Sequence, residues 1–251
     1  MIQMYRRAAR VFRRNFLFFA LMAVTPVVFS AFVQSVSTNS GGKLIFYSMI
    51  MLFCYRLVLS GASVPLKDTF RIKPDSPLGG AMKPFFLRLS VLWILKALIL
   101  GICTLAIYWF VQVIDPTFHV TKSDTMFALI GIGILPTALI VFAVLSLVGS
   151  MLPAAAVLQD ASFGRAWATS RAVFWRTYKN LLLGNGLFAV ATGLPFILIY
   201  LMFGEVEGTT FGYFSDFCWE LTAMFGLLLT ATALCIAFES RQPQSSEDVA
   251  I

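Results

Sequence analysis

Charge is scarce in this chain, and where it is missing is the first thing to read. Only 12% of its 251 residues are Asp, Glu, Lys or Arg, against about 25% in soluble globular proteins. Histidine is scarcer still. His119 is the single one, so one chain cannot assemble a histidine metal cluster or a convincing Ser/His/Asp or Cys/His nucleophile. The four cysteines, Cys54, Cys103, Cys218 and Cys235, lack CxxC spacing and sit in or beside apolar runs. They read as small buried hydrophobes, not as a disulfide framework or metal site. No phosphate-binding glycine motif is present. Acidic residues are missing from the middle of every apolar run: Asp160 and Glu239 stand at cytoplasmic ends and Glu220 near an external end. Proton- and sodium-coupled transport usually requires carboxylates at depth. These absences together predict a protein that is not an enzyme and holds no metal or cofactor.

What is present is six apolar runs, at Phe16–Val33, Leu44–Ala62, Leu89–Val113, Met126–Val148, Leu181–Phe203 and Phe217–Phe238. Each is close to the ~20 residues an α-helix needs to cross a ~30 Å hydrocarbon core. A backbone in lipid must satisfy its own polar groups, so the runs are expected to be helices. The cations alternate between the connections. Arg6, Arg7, Arg10, Arg13 and Arg14 precede the first run, while Lys67, Arg71, Lys73, Lys83 and Arg88 follow the second. Arg165, Arg171, Arg176 and Lys179 follow the fourth and Arg241 the sixth, leaving Lys43 and Lys122 for the alternate loops. This bias places both termini in the cytoplasm. A basic start before an apolar stretch is also the outline of a signal peptide. The first run is longer than a signal core and five more follow, so it reads as a retained span.

The net charge of +7 therefore points to anionic phospholipid as partner, not to nucleic acid. Residues 1–15 place Ile2, Tyr5, Ala9, Phe12 and Phe16 on one stripe, which predicts an interfacial amphipathic helix with its arginines among phosphates. A second is expected over about 160–180, with Phe163, Trp167, Ser170, Phe174 and Tyr178 on one face and Arg165, Arg176 and Lys179 opposite. Pro153 reads as the point where the fourth run leaves the bilayer or bends along its surface. Pro26, Pro136 and Pro195 predict kinks inside spans. Asn185 reads as a packing hydrogen bond near the cytoplasmic side. The fold expected is all-α: an interfacial helix at 1–15, a six-helix transmembrane domain at 16–239 and a disordered cytoplasmic tail at 240–251.

The segment "LPAAAVLQDASFGRAWATSRAVFWRTYKNLLLGNGL" and the earlier "YRLVLSG" resemble a group of bacterial six-span integral membrane proteins. That group includes the membrane domain attached to some glycerophosphoryl diester phosphodiesterases, together with stand-alone inner-membrane relatives. The matching elements here are Pro153, Asp160, Ala166, Ser170, Arg171 and Trp175. The resemblance implies a bacterial inner-membrane location. It implies no hydrolase activity, because in that group the chemistry resides in a separate soluble barrel that needs paired histidines.

Several residues remain as candidate sites. Arg56 and Lys96 lie inside apolar runs, where an ionisable residue is a functional hypothesis by default. Each is about 10 Å of helix rise from the cytoplasmic end, so snorkelling is the reading preferred over a shared cationic site. Arg6, Arg10, Arg13, Arg171 and Arg176 are candidate contacts for anionic lipid. Ala223, Gly226, Thr230, Ala233 and Ala237 form a small-residue seam on the sixth span, suited to packing within the bundle or against another integral membrane protein. The favoured function is a non-catalytic structural or accessory protein that engages anionic lipid or a larger membrane assembly. The alternative is a small transporter or lipid-handling protein with a cationic site near Arg56 and Lys96.

Overall fold

The computed structural model describes residues 1–32, 40–61, 77–114, 123–159, 162–203 and 209–240. Among them the chain is helical and contains no strand. Ten α-helices follow in order: α1 Ile2–Arg14, α2 Phe16–Phe32, α3 Ser40–Ser60, α4 Pro77–Ile114 and α5 Ser123–Val148, then α6 Met151–Ala156, α7 Phe163–Ser170, α8 Phe174–Lys179, α9 Leu187–Phe203 and α10 Thr210–Glu239. A 3-10 turn, Arg171–Val173, joins α7 to α8, and a π-helical stretch, Asn180–Gly186, joins α8 to α9. Among the described residues three helices are long and apolar enough to cross a membrane, at Gly42–Ser60, Gly79–Ile114 and Thr210–Glu239. A fourth span results if α1 and α2, which meet at 80°, are taken as one broken helix. The length and composition of these helices point to a membrane protein.

Helix α10 occupies the centre. It packs against α1, α2, α3, α6, α8, α9 and the π-helical stretch, and Leu228 to Cys235 are buried without a break. Such encirclement requires slender side chains. Gly226, Ala231, Ala233 and Ala237 supply them, and Thr230 and Thr232 return their hydroxyls to the carbonyls of Gly226 and Leu228. Lipid is as apolar as leucine, so close van der Waals approach between small residues holds such helices together.

Several expectations change. The third run is the second half of a 38-residue helix that begins at Pro77, so Lys83 and Arg88 ride on α4 and not on a loop. Pro153 does not lead the chain onto the membrane surface. Every residue of α6 is buried, under α3, α4 and α10. The turn at Gly149 permits this, since a Cβ there would lie 2.8 Å from Leu234. The helix over about 160–180 is broken, with the 3-10 turn at Arg171–Val173 rotating α8 relative to α7. Pro26, Pro136 and Pro195 sit inside continuous helices. His119, Lys122, Asp160, the cations Lys67, Arg71, Lys73 and Arg241, and the tail after Ser240 lie outside the described residues.

The N-terminal helix meets the rest of the protein through a stripe beside the expected apolar one. Met4, Ala8 and Val11 are buried, whereas Ile2 is 65% exposed and Phe16 46%. Ile2 and Phe16, at the two ends of the expected stripe, face outward, while Tyr5 and Phe12 within it pack against the core. Asn15 makes the corner, donating from its amide to the Val11 carbonyl at 2.9 Å. Phe12 fills the elbow, stacked on Phe19 at 5.0 Å and edge-on to Phe225 at 5.3 Å.

Candidate functional site

The residues that converge do so at the basic end of the bundle, where α1, the last turn of α3 and the last turn of α10 meet. Arg7 lies on the same stripe as Met4, Ala8 and Val11 and is drawn inward with them. Its guanidinium grips both carboxylate oxygens of Glu239, at 2.5 and 2.6 Å, and donates to the Val58 carbonyl at 2.8 Å. The hydrogen bond to Glu239 holds the Arg7 guanidinium above its ordinary value, against the opposing effect of burial. Arg14 donates to the Gly61 carbonyl at 2.7 Å. Gly61 closes α3 with a left-handed φ of 61° and an N–H returned to the Leu57 carbonyl at 3.1 Å, as a helix C-cap glycine does.

Docking of α1 is completed at the π-helical stretch. Tyr5 donates to the Gly184 carbonyl at 2.5 Å, and the end of the Met4 side chain occupies the space a Gly184 side chain would need. Burial pushes the Tyr5 phenol up from its usual range. The wider turn of a π-helix changes the hydrogen-bonding register of its carbonyls, which is why such stretches recur at functional positions.

The other predicted lipid contacts point away from the protein. Arg6, Arg10 and Arg13 on α1 are exposed, as are Arg171 in the 3-10 turn and Arg176 on α8. Around them stand exposed aromatics: Phe163 at 60%, Trp167 at 40% and Trp175 at 68%. Phe163 and Trp167 stack at 6.2 Å. The protein-facing side of the same element is Ala166, Ser170 and Thr177, with the Ser150 and Ser170 hydroxyls 3.3 Å apart.

Arg56 and Lys96 are not brought together. Tyr55 meets Phe85 with ring centroids 5.7 Å apart, which sets this part of α3 level with Phe85. Lys96 lies a further ~16 Å along α4 at 1.5 Å rise per residue. Its ammonium instead sits 4.6 Å from the centroid of Trp93, one turn toward the helix N-terminus, on the exposed face of α4. Arg56 is half-buried, and its Nη1 is closed off from solvent without a hydrogen-bond partner among the described residues.

The small-residue seam faces neighbouring helical segments within the chain. Gly226 lies against Asn185 and Phe188, Thr230 accepts from the Asn185 amide at 2.7 Å, and Ala233 and Ala237 are buried, while Ala223 is half-buried.

Two polar pairs escaped sequence reasoning. The Arg7–Glu239 clamp was legible in principle, because Arg7 shares the i, i+3, i+4 spacing of Met4, Ala8 and Val11. Glu239 ends an uncharged stretch from Leu221 to Phe238 and so needed a cation. The other pair is Tyr47 on α3, which donates to Glu220 on α10 at 2.5 Å. Glu220 is 8% exposed, a carboxyl enclosed by the bundle and not one at an external margin. No spacing rule links residues on two helices this far apart in sequence. Among the described residues no three of His, Cys, Asp and Glu are grouped as a metal ion would require.

Comparison with protein-family models, curated proteins and solved structures finds no match for this chain.

Proposed function

We propose that this protein is a non-catalytic, six-span bacterial inner-membrane protein that holds anionic phospholipid at a cytoplasmic basic rim and serves as an accessory to a larger membrane assembly. One observation carries the reading: α1 is pinned to the bundle along one side and presents Arg6, Arg10 and Arg13 on the other. A free basic leader must pay an ordering entropy whenever it meets a membrane. A docked helix presents its cations already arranged. The exposed Arg171 and Arg176, with Trp167 and Trp175 beside them, suit the same headgroup layer.

Six spans follow if α2, α5 and α9 cross as well. Helix α5 has 26 residues, α2 has 17, and α9 has 17 after a seven-residue π-helical extension. The alternation of loop cations supports termini on the cytoplasmic side, and the likeness to the membrane domain of glycerophosphoryl diester phosphodiesterases supports the same layout. Impermeant labelling of Lys179→Cys from the periplasmic side of intact cells should fail. Efficient labelling there overturns the topology.

The lipid reading is tested on the full chain in nanodiscs. Each arginine near a charged surface is worth about 1 kcal/mol, so Arg6→Gln, Arg10→Gln and Arg13→Gln together should weaken retention of phosphatidylglycerol by about two orders of magnitude. Retention equal to that of the unaltered protein sinks the reading. A second function, a small transporter or lipid-handling protein, is favoured by Arg56 alone, whose buried nitrogen lacks an acceptor.

A further inference from the structure

Three arginines stand near the last turns of α3, and among the described residues only two of them have partners. Arg7 is held by Glu239 and Val58, and Arg14 by Gly61. Arg56 stands about 3 Å of helix rise before Val58 and ~7 Å before Gly61, so it shares their level to within the reach of one arginine side chain. Both oxygens of Glu239, a carboxylate at this end, are already committed to Arg7.

The direction of Arg56 follows from its neighbours on α3. Phe53 meets Phe18 of α2 at 5.6 Å, and Tyr55 meets Phe85 of α4 at 5.7 Å. At 100° per residue, Arg56 falls in the sector between these two contacts. In that sector Leu52, one turn before Arg56, is buried, whereas Ser60, one turn after it, is exposed, so the sector opens outward between α2 and α4 at the level of Arg56 itself. Arg56 is thus neither sealed in the core nor free in water. Part of its guanidinium is exposed, and Nη1 is enclosed without an acceptor.

A guanidinium has five N–H donors in a rigid fork and stays charged. Enclosing one donor without an acceptor is costly, and an anion that enters the sector removes the cost. The anion whose two oxygens match the fork, and which is abundant at a headgroup layer, is phosphate. We propose that the outward-facing cleft between α2 and α4 is a single phosphate-binding site, with Arg56 as its principal ligand, filled by the phosphate of one lipid headgroup or by a free phosphate group. The proposal deepens the lipid-engaging reading and rests on it only for the membrane setting. Lys96, ~16 Å further along α4, takes no part.

The test uses the full chain in phosphatidylcholine nanodiscs doped with phosphatidylglycerol, with native mass spectrometry counting the lipids that survive activation. The unaltered protein should retain one tightly held phosphatidylglycerol, and Arg56→Met should weaken its retention at least tenfold. Arg56→Lys keeps the charge but loses the fork, so it should also fall short of the arginine. It serves as the readout if the Met variant does not fold. The variant lacking Arg6, Arg10 and Arg13 should shed loosely held lipid and keep the single tight one, so the rim and the cleft fail separately. In undoped phosphatidylcholine discs, inorganic phosphate is the probe of the free-anion source. A rise in melting temperature with phosphate that Arg56→Met abolishes supports that source. If Arg56→Lys, or a folded Arg56→Met, matches the unaltered protein in both the lipid and the phosphate arms, the proposal is overturned.

Discussion

Helices α4 and α10 are both long, apolar and able to span a membrane, yet they occupy opposite situations. More than half of the most apolar 18-residue stretch of α10 is buried inside the protein, and none of the corresponding stretch of α4 is. Part of the difference is side-chain size, although Met224, Leu228, Leu229 and Leu234 of α10 are buried as well. The buried half of α10 is drawn largely from Ala, Thr, Leu and Cys. The outward row on α4 runs through Leu87, Val91, Ile94, Leu98, Ile102, Leu105 and Trp109, each more than half exposed. In water the large residues would have gone inside. In lipid they gain little by doing so, and close packing favours whichever helix lets its neighbours approach. Helix α7 follows the same rule, with Ala166 inward and Phe163 outward.

The largest expected effect comes from placing an α4-type residue in α10. Ala233→Leu adds three carbons where the side chain is 1% exposed, and overpacking a close-packed interior costs about 1–3 kcal/mol. Denaturant titration in mixed micelles should show that loss. A variant as stable as the parent would mean that α10 is loosely surrounded and that size does not select the central helix.

Next in size is the clamp that fastens the basic end of α10. The side chains of Arg7 and Glu239 are 29% and 38% exposed, so solvent screens the pair, and about 1 kcal/mol is the appropriate scale. A double-mutant cycle with Arg7→Gln and Glu239→Gln should return a coupling of that order, with faster proteolysis near residue 15 in both single variants. Zero coupling would mean that Met4, Ala8 and Tyr5 alone dock α1. A comparable loss, about 1 kcal/mol, is expected for Gly61→Ala, because a Cβ is disfavoured at a φ of 61°. Its signature is different, since the Gly61 carbonyl that Arg14 uses should shift as well.

How far these features could be read beforehand depends on the forces behind them. The all-helical class and the long apolar helices were legible because a lipid solvent forces helix and sets its length. The face expected to hold Phe163, Trp167 and Ser170 together is divided: Phe163 and Trp167 are exposed, while Ser170 is buried against Ser150. For α1, the stripe of Ile2, Tyr5, Ala9, Phe12 and Phe16 was expected to lie in the acyl boundary, and no stripe was assigned to contact with the protein. The protein takes the adjoining stripe of Met4, Arg7, Ala8 and Val11. The break at Arg171–Val173 and the burial of α6 depend on the shapes of α5 and α10 around them, through contacts such as Gly149 against Leu234. Local spacing carries no record of such contacts. Arg56 was recognised as exceptional by its type and depth, but the absence of an acceptor is a property of three helices together.

The smallest effect is the one that most sharpens the contrast between α4 and α10. Ile102 is 66% exposed on the outward row of α4. Replacing it with alanine removes three carbons, a change that costs about 2–5 kcal/mol in a closed core. On a lipid-facing surface no cavity forms, because acyl chains take up the vacated space and restore the contacts. Ile102→Ala should therefore change unfolding free energy by no more than about 0.5 kcal/mol, the scale of ordinary surface substitutions. The same titration used for Ala233→Leu measures it, so the two values stand on one scale. A loss above about 1 kcal/mol would place Ile102 against protein instead of lipid. The covered face would then be the row from Leu87 to Trp109, and its partner would be a second copy or another membrane helix packed along α4.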